Sequence, residues 1–264
     1  MVGIDRSACT SHGGLVVDIV QKAQTVESIV AVAPDVVVHT AAETNVDRCE
    51  TERDLAWKIN VDGTASVVEG CVRAGAKLVL MSTDYVFDGA KGDYGEADEP
   101  KPINFYGLTK LEAERITASA LPGSLIVRTS VLYGWHPTKL NFATWILKAL
   151  RERQRTKVAV DHINSPTLAD NLARAVSTGI QRGSQGVLHV AGSERISRFD
   201  FALRIAKFFN LDNSLLTPVE MKDLDWIAKR PRDSSLSVAK AQKELGIELL
   251  GADRGVQEMA RNQP

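Results

Sequence analysis

Asp35-Val36-Val37-Val38-His39 is an unbroken β-branched run between a helical segment and a polar loop. A strand with one wet face alternates apolar and polar residues, whereas a strand covered on both faces can be apolar throughout. The same reading extends to Val16-Val17, to Leu78-Val79-Leu80-Met81 and to Ile126-Val127, where Gly123 and Ser124 mark the turn into the strand. Between these runs, Thr25–Ala33 and Leu55–Ala74 carry apolar residues at helical spacing. In the second, Ala56, Ile59, Gly63, Val67, Gly70 and Cys71 fall on one stripe, and its two glycines predict a close approach of helix to sheet. Strands alternating with helices predict a parallel sheet covered on both faces, an α/β fold.

Beyond Gly134 the pattern loosens. Helices are predicted at Phe142–Arg153, Leu168–Gln181, Arg198–Phe209 and Val238–Leu245, with short strands at Lys157–Val160 and Val187–Val190. The charged stretch Glu220–Ser235, bracketed by Pro218 and Pro231, reads as a surface segment able to fold over a ligand. With 264 residues the chain fits one large α/β domain, or a nucleotide-binding core with a smaller lobe. Its net charge of −1 comes from interspersed signs, which favours neither nucleic acid nor an anionic membrane surface as partner. No apolar run approaches the ~20 residues of a membrane span, and no signal pattern opens the chain. Cys9, Cys49 and Cys71 lack paired or metal-like spacing, so they read as reduced thiols of a cytoplasmic protein. The scattered His12, His39, His136, His162 and His189 argue against a metal site.

The chemistry concentrates in two segments. Tyr106 and Lys110, in Asn104-Phe-Tyr-Gly-Leu-Thr-Lys110, lie one helical turn apart on one face. A neighbouring ammonium favours phenolate, lowering a pKa that is otherwise near ~10 and preparing Tyr106 for proton transfer. Upstream, Leu80-Met-Ser82-Thr83-Asp84-Tyr85 starts as a strand and ends in a turn. Its hydroxyls would face the crevice at the carboxyl end of a parallel sheet, where α/β folds bind ligands. An isolated Ser-Thr pair equally caps a turn; a Tyr-Lys helix opening after the loop tips the balance toward function.

Ser82-Thr83-Asp-Tyr-Val-Phe87 followed by Tyr106-Gly-Leu-Thr-Lys110 closely resembles the extended short-chain dehydrogenase/reductases. Within them it is most similar to the dTDP-4-dehydrorhamnose reductase branch, which includes the regulatory subunit of methionine adenosyltransferase. Further landmarks stand in order: the segment from His39 to Glu50, Asn60, Arg128-Thr-Ser-Val-Leu-Tyr-Gly134, Ser165-Pro-Thr167 and Arg230-Pro231. The resemblance runs from Val2 to Gly246. It implies a Rossmann-like doubly wound parallel sheet, with residues 1–134 as an NAD(P)-binding core. Residues 135–264 would be mainly a small C-terminal substrate-binding lobe, some segments returning to the core.

The implied reaction is reduction of the 4-keto group of a nucleotide-activated 6-deoxysugar, with NADP or NAD as cofactor. Tyr106 would protonate the new alkoxide, Lys110 would keep the tyrosine acidic and hold the nicotinamide ribose, and Thr83 would bond the developing oxyanion. Cofactor contacts are expected from Asp5, Arg6, Asp18, Ala41, Ala42, Thr44 and Asn60 together with Tyr106 and Lys110. Substrate contacts are expected from Ser82, Thr83, Asp84, Asn104, Arg128 and Arg230. An acid at Asp5 suits a ribose 2′-hydroxyl, whereas Arg6 suits a 2′-phosphate, so NAD and NADP both stay open. Asp5 and Asp18 also read as solvated loop charges. A homodimer follows from the same analogy.

Two departures stand out. The family opens with a strand, a G-x-x-G-x-x-G turn and a helix; here the chain starts inside the second strand, and Gly3, Gly13 and Gly14 have the wrong spacing. That turn lets backbone amides approach the pyrophosphate, and its strand lies mid-sheet in the order 3-2-1-4-5-6. A sequence truncated at its start is the expectation; the other explanation is a true short form with impaired cofactor binding. The second departure is Val131, where the bacterial rhamnose reductases commonly carry a tryptophan; Trp135 lies four residues on. Asp84 followed by Tyr85 lacks the acidic pair of the dehydratases. A sugar-nucleotide epimerase and a non-catalytic nucleotide-binding regulatory subunit are the alternatives.

Overall fold

A computed structural model describes residues 2–6 and 14–263. Cys9, His12 and Gly13 lie outside the described residues. Ile4–Asp5 (β1) pairs in parallel with Leu15–Val16 (β2), one residue earlier than the strand predicted at Val16-Val17 and, with Val16 53% exposed, not covered as that reading expected. Lys22–Val32 (α1) leads into Val36–His39 (β3). Then come Val46–Thr51 (α2), Arg53–Trp57 (α3), a π-helical turn at Lys58–Asp62, and Gly63–Ala74 (α4). They replace the single helix predicted over Leu55–Ala74. The interruption has a local partner: within the π turn, Asn60 is buried and bonded to the loop after β3 and to Thr109.

Lys77–Thr83 (β4), Phe105–Ala120 (α5) and Leu125–Thr129 (β5) complete the first half. The second half runs through Leu132–Tyr133 (β6), Phe142–Arg151 (α6), Thr156–Ala159 (β7), Ile163–Asn164 (β8) and Thr167–Leu168 (β9). Ala169–Arg182 (α7) and Gly186–His189 (β10) follow, then Ile196–Ser197 (β11) and Arg198–Phe208 (α8). Leu216–Val219 (β12), Ala239–Leu245 (α9) and Ala252–Arg261 (α10) end the chain. Neither β12 nor α10 was predicted. β12 carries Pro218, and among the described residues it pairs with β7 alone, a short edge on which a proline is tolerated.

The central sheet is parallel, in the order β10-β5-β4-β3. Pleating separates its residues onto two faces. Val79, Leu125, Val127 and Leu188 pack against α7 and α9 through Leu172, Val176, Ala241 and Leu245. On the opposite face Leu78 meets Val67, Val68 and Cys71 of α4, while Leu80 and Ile126 meet Ala113 of α5. Two covered faces are the reason these strands carry no polar alternation.

β1 and β2 form their own two-stranded sheet, and among the described residues β3 is the free edge of the four-stranded one, with Val38 43% exposed. In the order 3-2-1-4-5-6 these two sets are the two sides of the strand this sequence lacks. The predicted helix–sheet approach at the glycines is instead an approach to α1 and the turn before it. A Cβ at Gly70 would sit 2.8 Å from Ile29 Cδ1, and one at Gly63 2.7 Å from Ile19 Cδ1. A second core, built by Tyr133, Ile146, Leu147, Phe201, Ile205, Val256 and Met259, holds α6, α8 and α10 together as a separate lobe.

Leu80 is fully buried where strand and helix meet beneath the crevice. Leu80→Ala should therefore lower unfolding free energy by about 2–5 kcal/mol, read from urea denaturation midpoints at unchanged slope.

Candidate active site

β4 ends at Thr83, whose hydroxyl accepts from the Tyr85 amide at 3.2 Å and caps the 3₁₀ turn Asp84–Val86. Asn104 caps α5 by accepting from the Gly107 amide at 2.8 Å. This cap places Tyr106 in the first turn of α5, near the Thr83 hydroxyl. Gly107 permits the approach, since a Cβ there would lie 2.1 Å from the Tyr85 carbonyl oxygen. Tyr85 meets Tyr106 edge-on, ring centroids 6.0 Å apart.

Lys110 is buried and its Nζ donates to the Met81 carbonyl at 2.7 Å. Burial lowers its pKa to about 8, with Glu114 opposing. The expectation that Lys110 would hold Tyr106 acidic is not met. Lost hydration pushes the Tyr106 phenol up, the Thr83 hydrogen bond only partly opposing, while the ammonium is directed at the Met81 carbonyl. Tyr106 therefore carries its proton at neutral pH.

The remaining expected residues separate into groups. Ser82 and Arg128, expected to meet substrate, are instead pinned inside the protein. Arg128 forms a buried ion pair with Glu114 at 2.7 Å, and Ser82 donates to the same carboxylate. The Arg128 guanidinium also lies 5.2 Å over the Phe87 ring. Asp84 is equally enclosed, accepting from Ser130 at 2.8 Å, Ser234 at 2.5 Å and Thr83 at 3.1 Å. Burial raises its pKa against those bonds. Asn60, expected at the cofactor, is taken up in a clamp: it accepts from the Glu43 amide and donates to the Glu43 carbonyl and Thr109. A buried polar group is satisfied by its own chain first, which is why these four point inward.

Ala41, Ala42 and Thr44 lie on the loop beyond β3, Ala41 and Thr44 exposed. Asp5 and Arg6 are exposed at the end of β1, and Asp18 caps the turn after β2 by accepting from the Val20 amide at 3.2 Å. Asn104 also donates to the Lys229 carbonyl at 2.9 Å, and Arg230 pairs with Asp47 at 3.0 Å. The segment read as a ligand cover thus meets the core beside Tyr106.

A wall of residues passed over in the sequence continues from Tyr106. The Tyr85 hydroxyl lies 3.4 Å from His162 Nε2, and His162 meets the Trp226 ring at 5.4 Å. Arg198 donates to Asn164 at 2.7 Å. Burial and the Arg198 and Arg230 cations keep His162 neutral, far below its ordinary range. Each is a single residue in an unremarkable run, so no local pattern could have singled them out.

The sequence profile of the RmlD substrate binding domain matches residues 2–263. This chain belongs to that family. A dTDP-4-dehydrorhamnose reductase of Aggregatibacter actinomycetemcomitans is 32% identical over 88% of this chain and 82% of its own length. The methionine adenosyltransferase 2 subunit beta of Danio rerio is 32% identical, over 83% and 67%. Among solved structures, the Bacillus anthracis dTDP-4-dehydrorhamnose reductase in complex with NADP superposes with a TM-score of 0.90 at 30% identity, covering 96% of this chain and 91% of its own. The family's Rossmann-like α/β fold is the fold found here. Among the described residues no acidic, histidine and cysteine cluster could hold a metal ion, and no helix is long and apolar enough to cross a membrane.

Arg128→Ala should leave the Glu114 carboxylate buried without its partner and cost about 3–5 kcal/mol of stability in urea titrations. An Arg128→Ala chain as stable as the parent would refute the structural role given to this ion pair.

Proposed function

We propose that this chain reduces the 4-keto group of a nucleotide-activated 6-deoxysugar. The observation that carries the reading is Tyr106 brought close to the Thr83 hydroxyl at the carboxyl end of β4, with Lys110 one helical turn further along α5. Relatives with the same family profile are reductases of this kind, one of them in complex with NADP.

The residues present fit a nicotinamide cofactor at its reacting end. Tyr106 and Lys110 would hold the ribose, with Ala41, Ala42 and Thr44 along the loop beyond β3. Asp5, Arg6 and Asp18 would serve the adenosine end, with NADP or NAD accommodated accordingly. The reduced cofactor, when bound, supplies hydride.

The protein's part is oxygen chemistry. The ketone oxygen accepts hydrogen bonds from Thr83 and Tyr106, which strengthen as negative charge develops on it. Tyr106 then gives its proton to the alkoxide. The phenolate left behind is disfavoured by burial, and Lys110, one turn along the same helix, would offset it only by turning its ammonium from the Met81 carbonyl toward the phenol. Arg230 and Asn104 would serve the substrate from the cover segment and the start of α5. Residence in the cytoplasm agrees with free, buried Cys49 and Cys71; a homodimer rests on the family analogy.

The similarity to the adenosyltransferase subunit favours a second reading as a nucleotide-binding regulatory subunit. NADPH oxidation with a dTDP-4-keto-6-deoxysugar separates the two: no turnover, with co-purification of an adenosyltransferase, would overturn the first.

Tyr106→Phe should lower turnover about 10²–10⁴-fold, as loss of a general acid does, while cofactor affinity in a fluorescence titration stays near the parent value. The pH profile is a separate check. Lys110 loses its charge as pH rises through about 8, so turnover should be flat below that value and fall above it. A profile unchanged up to the ordinary lysine range would contradict this role.

A further inference from the structure

Residues 226–230 form the tip of the segment that crosses from the lobe to the core, and one carboxylate holds them. Asp47 Oδ1, on α2, accepts from the backbone amides of Ile227 at 3.1 Å and Ala228 at 2.9 Å. Its Oδ2 pairs with the Arg230 guanidinium at 3.0 Å. Arg230 is itself folded back, donating to the Ala228 carbonyl at 2.9 Å and lying 5.2 Å from the Trp226 ring. Trp226 in turn rests against His162, which reaches Tyr85 and so Tyr106.

We propose that Asp47 is a positioning residue that latches the 226–230 turn onto the core and holds Arg230 and Trp226 against the wall that runs through His162 and Tyr85 to Tyr106. The latch does not depend on the reductase reading; what it serves does.

The geometry supports a latch over a generic surface ion pair. Two backbone amides and one guanidinium converge on a single carboxylate, and charge-assisted bonds of this kind are the strong ones. Arg230 has only a tenth of its side chain exposed, so the pair is poorly screened by solvent. Ile227 is 65% exposed, while Ala228 is buried, Trp226 rests against His162 and Asn104 donates to the Lys229 carbonyl, so Asp47 supplies the charged contacts of an otherwise neutral attachment. Asp47 stands on the loop side of β3, the side assigned to cofactor, while the turn belongs to the substrate side. The latch therefore joins the two halves of the crevice across its mouth.

Three chains test it: the parent, Asp47→Asn and Asp47→Ala. Asparagine keeps an oxygen for the two amides and loses only the charge on Arg230; alanine loses all three contacts. With saturating NADPH, KM for a dTDP-4-keto-6-deoxysugar should rise about 10-fold in Asp47→Ala and less in Asp47→Asn, while kcat changes by no more than ~3-fold. In an Arg230→Ala background most of that KM effect should vanish. An unchanged KM, or a fully additive double mutant, would overturn the proposal.

Limited trypsin cleavage after Lys229 needs no turnover and reads the latch directly. Cleavage should be fastest in Asp47→Ala, intermediate in Asp47→Asn and slowest in the parent. Equal rates in all three would remove the latch whatever the activity. That order in a chain that reduces no keto sugar would keep the latch and remove the reductase reading.

Discussion

The crevice depends on the buried carboxyl of Asp84. It sits at the end of β4, accepts from Ser130 just beyond β5 and from Ser234 in the crossing segment, and also bonds the neighbouring Thr83 hydroxyl. A carboxyl out of water is costly unless donors surround it, and hydrogen bonds to such a group contribute about 1.5–3 kcal/mol each. Satisfying Asp84 therefore brings three separate pieces of chain to one point, next to the hydroxyl that faces Tyr106. Asn164 extends the same cluster by donating to Ser234 at 2.9 Å and accepting from Arg198. Core and lobe are joined here by polar satisfaction.

A second buried network does the same for α5. Glu114 draws Arg128 from β5 and Ser82 from β4 onto one carboxylate, and Arg128 continues toward His189 of β10 at 3.4 Å. Burial lowers the His189 pKa to about 4, so the network carries no extra cation there. These residues look like site chemistry in a linear sequence, being polar, clustered and near strand ends. In the fold they act as fasteners that hold Lys110 and Tyr106 at fixed height above the sheet. A close polar contact to another part of the chain separates such fasteners from residues free to meet a ligand.

The central sheet and the Tyr106 helix were legible because each rests on local rules. Period-two and period-3.6 patterns report burial directly, and Asn104 followed by Tyr106-Gly-Leu-Thr-Lys110 is a capped helix start with two reactive groups one turn apart. The helical break at Lys58–Asp62 was not legible. Its partners, Glu43 and Thr109, lie far away in sequence, and nothing near Asn60 announces an inward turn. The electrostatics of Tyr106 were misjudged for a related reason: spacing places Lys110 nearby but is silent on desolvation, which outweighs everything else acting on that phenol.

By itself the sequence determined the parallel sheet, the helix that carries Tyr106 and Lys110, and the hydroxyl of Thr83 at the end of β4. Each is written in neighbouring residues, where backbone geometry alone couples side chains to one another. Only the tertiary structure decided which polar residues are fasteners and which face the crevice. It alone brought Tyr85, His162, Trp226 and Arg230 into one wall and set Asp47 against the turn 226–230. Those choices depend on contacts between segments that are not neighbours in the chain, 77 residues apart for Tyr85 and His162 and 181 for Asp47 and Ala228, whose strength comes from burial, and burial exists only once the chain has closed on itself.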